Sequence, residues 1–265
     1  MNTFGSMTLK NILNTSFAIG LIFVLTGWSK VDTRAEQILS YCFQFQKLQV
    51  DIRERTISPD SAAGLFKVIM KNLRQLVQDP DPCGPGNSPT FVYPLRGYNL
   101  RYSIGGGGKG FRANGFDLFD MDVRGSHPAH DLFIRDGNQD NIDDYMCNPV
   151  DLLSFTRGIV LAVEKDWQPA SELRGGNFIW VYDPCLNGLF YYAHNNRVVV
   201  EPGQWVEAGE KIGEVGRTGF NAYKERSPTH VHMMFLRLTP EYLPEPANTL
   251  AWLRQAEVKG WDEGD

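Results

Sequence analysis

Thr229-His-Val-His-Met-Met-Phe-Leu236 is the stretch on which the fold turns. It is an apolar run headed by H-x-H, and as a strand its period of two puts His230 and His232 on one face. Short β-rich runs recur upstream at residues 91–93, 158–163, 178–182, 189–193 and 197–200, punctuated by glycine and turn residues. No long helical period lies between them. The predicted fold class is therefore mostly β, built on an antiparallel sheet.

The amino-terminal third is patterned differently. Thr33-Arg-Ala-Glu36 has the form of a capping box and opens a helical pattern. Ser58-Pro59 supplies an N-cap and an N1 proline for a second helix bearing Leu65, Ile69, Leu73 and Leu76. Asp79-Pro-Asp-Pro-Cys-Gly-Pro-Gly-Asn-Ser-Pro89 cannot continue a helix and marks a boundary. Ahead of the helices, Lys10 precedes the apolar run Phe17-Ala-Ile-Gly-Leu-Ile-Phe-Val-Leu-Thr26, which has a signal-peptide layout. This run is shorter than the ~20 residues a membrane-spanning helix needs. No A-x-A site follows it, and Trp28 stands where a lipidated cysteine would be required. The expected organisation is a signal peptide or N-terminal membrane anchor at 1–28, a helical unit at 29–78, a Pro/Gly-rich linker at 79–90, a β domain at 91–238 and an extension at 239–265. Export to the periplasm or cell envelope is expected, with membrane attachment through residues 1–28 as the alternative to cleavage. A fragment beginning near Ser88 is expected to fold alone.

Composition narrows the function classes. With 42% hydrophobic and 12% aromatic residues the chain carries an ordinary globular core, which excludes disorder. A formal net charge of −5 without a run of lysines or arginines excludes nucleic acid as a partner. The four cysteines, at 42, 83, 147 and 185, include no C-x-x-C pair and so do not form a cysteine zinc site. Paired in full they would allow three disulfide connectivities. Cys42, however, shares an apolar helix face with Ile38, Phe45 and Leu48 and reads as a buried free thiol. Gly105-Gly-Gly-Gly108 lacks the spacing of a phosphate-binding loop, and the acidic run 136–144 lacks that of an EF-hand, so both are read as loops.

The histidines carry the chemistry. Taken alone, His230-x-His232 describes a pair of hydrogen-bonded structural histidines as well as it describes metal ligands. His127 and Asp131 are separated by three residues, with Pro128 opposing a helix and Leu132-Phe-Ile134 extending into a strand, a bend that brings both side chains to one point. With His232 they would offer zinc two nitrogens and one oxygen, leaving a fourth position for water, as in a catalytic site. His194 ends the apolar strand of Tyr191-Tyr-Ala-His194. His130 is read as a supporting or surface residue.

In chain order, His127-x-x-x-Asp131, Tyr192-Ala-His194, a glycine-punctuated hairpin from Gly203 to Gly216 and His230-x-His232 resemble the lysostaphin-type (LytM-like) zinc metallopeptidases, which cut peptidoglycan cross-links. The resemblance covers roughly residues 91–238. It implies that His127, Asp131 and His232 bind Zn2+ and that His194 and His230 form the catalytic pair, sharing proton transfer and oxyanion stabilisation. It implies a zinc-dependent endopeptidase, a hydrolase acting on cell-wall peptides through metal-activated water. Ala129 stands where the family has glycine, Thr229 where it has proline, and the loop from Phe220 to Thr229 is longer than usual; these departures bear on substrate preference. The alternative is a noncatalytic scaffold of the same fold, a cell-wall binding or regulatory module. That the five positions are all filled favours the enzyme.

Overall fold

Alternation along the strands sorts the side chains into two cores. The computed structural model describes residues 33–77, 82–83, 88–122 and 125–261. Segment 1–28 and most of the 79–90 linker lie outside them. Among the described residues no helix is long and apolar enough to cross a membrane. The strands are β1 (Ala129–Phe133), β2 (Asp151–Leu153), β3 (Gly158–Glu164), β4 (Phe178–Asp183), β5 (Gly188–Ala193), β6 (Arg197–Val198), β7 (Trp205–Val206), β8 (Lys211–Glu214), β9 (His230–Leu238) and β10 (Pro244–Pro246). The helices are α1 (Thr33–Arg53), α2 (Pro59–Leu76), α3 (Leu100–Ser103) and α4 (Leu250–Gln255). The main sheet is antiparallel in the order β1-β9-β5-β4-β3-β7, with β10 also on β9, and β2-β8-β6 form a smaller antiparallel sheet. The fold is mostly β with two leading helices, as the sequence patterning requires.

One face of the main sheet presents Trp180, Tyr182, Leu189, Met234 and Leu236 to the helices. The other presents Ile179, Val181, Phe190, Met233 and Phe235 to the small sheet. In α1 the residues Ile38, Cys42, Phe45, Leu48 and Ile52 are buried, three to four positions apart, as one helical stripe demands. In α2 the stripe is Ala62, Phe66, Ile69, Met70 and Leu73, so Leu65 falls on the exposed side with Val68. Ser58 caps α2, its side chain accepting from the Ser61 amide at 3.3 Å, and Pro59 is its first residue. Phe45 sits between Phe66 and Trp180, with ring centroids 6.0 and 5.8 Å away. Cys42 is a free thiol that reaches the Val160 carbonyl at 3.6 Å, and burial pushes its pKa up to about 12, which leaves it inert.

The described residues, from Thr33 to Trp261, form one compact unit. Residues 33–77 share a core with the β domain, and the described part of the extension, residues 239–261, is integral to it: β10 extends the sheet and Trp252 packs on Phe91 and Phe235 at 5.4 and 5.1 Å. The anticipated strand at 91–93 is reduced to a bridge between Val92 and Glu257. The expected hairpin from Gly203 to Gly216 is corrected as well. β7 pairs with β3 in the main sheet, while β8 pairs with β2 and β6 in the small one, so the turn at residues 207–210 carries the chain from one sheet to the other. Gly209, at φ +84°, makes that turn.

Cys83 is bonded to Cys185 across a sequence separation of 102, which ties the segment after α2 to the turn between β4 and β5. Cys147 is free and exposed. Thiol titration of the denatured, unreduced protein should therefore find two free thiols, Cys42 and Cys147; four would contradict the pairing. Reduction should lower stability by about 2–5 kcal/mol, since a long closed loop constrains the unfolded chain most. Phe45→Ala should cost about 3–5 kcal/mol in urea unfolding, against within about 0.5 kcal/mol for exposed Val68→Ala. Because the helices cover Trp180 and its neighbours, a chain beginning at Ser88 should aggregate or bind hydrophobic dyes, contrary to the expectation from the linker alone.

Candidate metal and catalytic site

Strand register assembles the site. β9 lies between β1 and β5, and its His232 is paired with Asp131 on one side and Ala193 on the other. His230 and His232 share the face of Met234, as period two requires, and Asp131 shares that face with Ala129. His130, one residue out of phase, is turned to the opposite face, where its Nε2 lies 3.0 Å from Asn248 Oδ1 and Phe111 packs on its ring. The supporting role read for His130 agrees with that placement.

His127 precedes β1 and exchanges both backbone hydrogen bonds with Arg112, at 2.8 and 2.7 Å. Its Nδ1 donates to the Gly110 carbonyl, 3.1 Å away, which turns its Nε2 toward Asp131 Oδ2 at 3.3 Å. His232 Nδ1 approaches Asp131 Oδ1 at 3.0 Å. One ligand atom from each of His127, Asp131 and His232 falls within 4.8 Å of the others. Burial alone would raise the Asp131 carboxyl, but hydrogen bonds from both imidazoles outweigh it and hold the pKa far below the carboxylate range. The hydrogen bond to Asp131 in turn raises His127. Two imidazoles and an ionised carboxylate, with one ring fixed from behind by a carbonyl, are a donor set that suits a divalent metal ion.

His194 follows β5 directly. It adopts φ +72°, an uncommon conformation for a non-glycine residue and one often kept at functional sites. Its amide donates to Gly175 O at 2.9 Å and its Nδ1 to Thr218 O at 2.8 Å. His230 Nδ1 likewise donates to Pro228 O at 2.7 Å, with Phe133 against its ring. The His194 ring centroid lies 4.8 Å from that of His230 and 5.9 Å from that of His232. Burial first, then the neighbouring imidazoles, push the His194 pKa down to about 3. Burial also lowers His230. Both rings are neutral at pH 7 and present Nε2 as an acceptor. All five residues singled out from the sequence thus come together, lining or adjoining one cavity of about 450 Å3.

The structure adds residues that the sequence did not mark. The acidic run 136–144, read from the sequence as a loop, buries two of its carboxylates, Asp136 and Asp143. Asp136 accepts from the amides of Asp140 and Asn141 and, at 2.6 Å, from the Thr229 hydroxyl next to His230, so it anchors the head of β9. Buried Arg217 donates to the carbonyls of Tyr223 and Lys224 and holds the loop whose Asn221, Ala222 and Ser227 wall the cavity. No local motif announces either contact: Thr229 is remote from Asp136 in the chain, and the acceptors of Arg217 are main-chain carbonyls, which carry no residue signature.

The family model for Peptidase family M23 matches residues 146–242, a span that contains His194, His230 and His232 and begins after His127 and Asp131. Among solved structures the chain is similar to the antimicrobial peptidase lysostaphin from Staphylococcus simulans, at 19% identity over 66% of this chain and 58% of that one, with a TM-score of 0.40. For the catalytic domain of lysostaphin alone the values are 20%, 58%, 93% and 0.38. A zinc containing peptidase from Vibrio cholerae gives 17% identity over 64% of this chain and 40% of that one, with a TM-score of 0.35. The chain thus spans less than two thirds of full-length lysostaphin. Residues 146–242 are thus similar to peptidase family M23, over a little more than a third of the chain.

Proposed function

We propose that this protein is a zinc-dependent endopeptidase that hydrolyses peptide cross-links of bacterial peptidoglycan. The observation that carries the reading is the convergence of His127, Asp131 and His232 beside His194 and His230 in one cavity of a peptidase domain. His127, Asp131 and His232 would hold Zn2+. When bound, the ion supplies Lewis acidity and lowers the pKa of its water toward about 7.

The remaining work falls to this chain's own groups. Because Thr218 O and Pro228 O fix the proton on Nδ1 of His194 and His230, each ring offers Nε2 to take a proton from an attacking water. Once protonated, the same nitrogen becomes a donor that can stabilise an oxyanion or pass the proton to the leaving amine. The backbone bonds to Gly175 and Gly216 hold the two histidines on rigid segments, which suits repeated transfer at one fixed place. Peptidoglycan is proposed as substrate on the strength of the ordered motifs and the peptidase domain. The Cys83–Cys185 disulfide supports an oxidising, extracytoplasmic location.

Alanine variants separate the roles. Replacing His127, Asp131 or His232 should release zinc and abolish hydrolysis together, because two ligands make a weak site. His194→Ala and His230→Ala should keep near-stoichiometric zinc after dialysis yet lose turnover by about 10²–10⁴-fold on purified peptidoglycan. Zinc retained in all five variants would place the metal elsewhere, and full binding without hydrolysis in the parent protein would favour the noncatalytic scaffold. Chelation should stop hydrolysis while leaving the circular dichroism of the sheet largely intact, since a core of this size does not depend on a metal clip.

A further inference from the structure

The cavity that holds the histidines continues toward α1. Tyr191 and Gly175 line both it and a neighbouring apolar cavity floored by Phe178 and Trp180 and bordered by Arg53 of α1. Arg174 lines these two and a third, larger cavity of about 690 Å3 reaching Glu164 and Glu172. It thus stands where the three meet.

Arg174 is exposed, and among the described residues its guanidinium makes no hydrogen bond or ion pair. Its backbone, by contrast, is pinned on both sides. Leu173 O accepts from the Phe220 amide at 3.0 Å, and Gly175 O accepts from the amide of His194 itself. A Cβ on Gly176, at φ +62°, would fall 2.2 Å from the Thr218 carbonyl carbon, so this segment is seated tightly against the strand of residues that orients His194. A Cβ on Gly175 would lie 2.0 Å from Tyr191 Oη, which places that hydroxyl against the residue that follows the arginine. The Tyr191 ring packs on Trp180 at 4.5 Å and lies 6.4 Å from His232, and its hydroxyl has no hydrogen-bond partner among the described residues. The nearby Glu164 carboxylate is engaged by Arg53 at 3.9 Å. A guanidinium and a phenol, both donors and both without a partner, therefore border the groove close to the histidines.

A planar fork of donors with one added hydroxyl complements a singly charged carboxylate. We propose that Arg174 and Tyr191 form a carboxylate-binding subsite, which takes a free carboxylate of the peptide substrate on the α1 side of the histidines. The peptide identity of the ligand rests on the peptidase reading; the anion preference rests on these side chains.

The test is equilibrium binding, by calorimetry on the full chain, of two D-alanyl-ended peptides that differ only in a C-terminal carboxylate or carboxamide. The wild type should prefer the carboxylate by about tenfold at low salt, less as ionic strength rises. Arg174→Ala should erase that preference while leaving amide binding and zinc content unchanged, Arg174→Lys should restore part of it, and Tyr191→Phe should reduce it a fewfold. Equal binding of both peptides by the wild type, binding of neither, or a preference that survives Arg174→Ala would overturn the subsite. Hydrolysis of peptidoglycan, measured in parallel, reports on the peptidase reading alone. A carboxylate preference without hydrolysis keeps the subsite and removes that reading, and hydrolysis without a preference does the reverse.

Discussion

Antiparallel pairing of β9 with β1 on one edge and β5 on the other puts His232 opposite both Asp131 and Ala193. The candidate site depends on that register more than on any other feature. Because side chains alternate, a slip of one residue in β9 would send His230 and His232 to the face now occupied by Val231 and Met233, where a dry core awaits them. It would also turn Asp131 away from its partner. The same alternation that fills the two cores therefore fixes which side chains meet at the histidine cluster, and stability and site geometry are set by one hydrogen-bonded ladder.

Loop carbonyls finish what the register begins. Gly110, Thr218 and Pro228 each accept from the Nδ1 of a different histidine, which fixes ring direction, turns Nε2 of His127 toward Asp131 and leaves Nε2 of His194 and His230 as acceptors. Those loops are held in turn by close backbone packing at Gly176 and Gly219, by Asp136 at the head of β9 and by Arg217 behind residues 223 and 224. The helices take part at one remove. Phe45 of α1 packs on Trp180, and Trp180 packs on Tyr191 at the edge of the cavity, while Phe66 of α2 contacts Phe119 in the loop that brings Met121 to the groove.

Much of this was legible in the residues, and the boundary of what was legible is physical. Period two in Thr229–Leu236 needs no knowledge of partners, so the face shared by His230 and His232 could be read directly, and Pro128 betrayed the bend that unites His127 with Asp131. Pairing partners are nonlocal. The glycines of residues 203–216 announce a turn but not that its two arms join different sheets, and the Pro/Gly-rich stretch after α2 reports the end of a helix without reporting the end of a core. Burial of Asp136 and Asp143 was hidden for the same reason, since their stabilising partners, Thr229 and Tyr98, lie far away in sequence. Carbonyl acceptors carry no residue signature at all.

X-ray absorption spectroscopy of the zinc-loaded protein tests the central claim most directly. The account predicts first-shell scattering from two imidazole nitrogens at about 2.0–2.1 Å and from oxygen at about 2.0–2.2 Å, supplied by Asp131 and water, with no sulfur. Sulfur at about 2.3 Å would instead assign the metal to Cys42 or Cys147 and contradict the account, as would a shell containing oxygen alone.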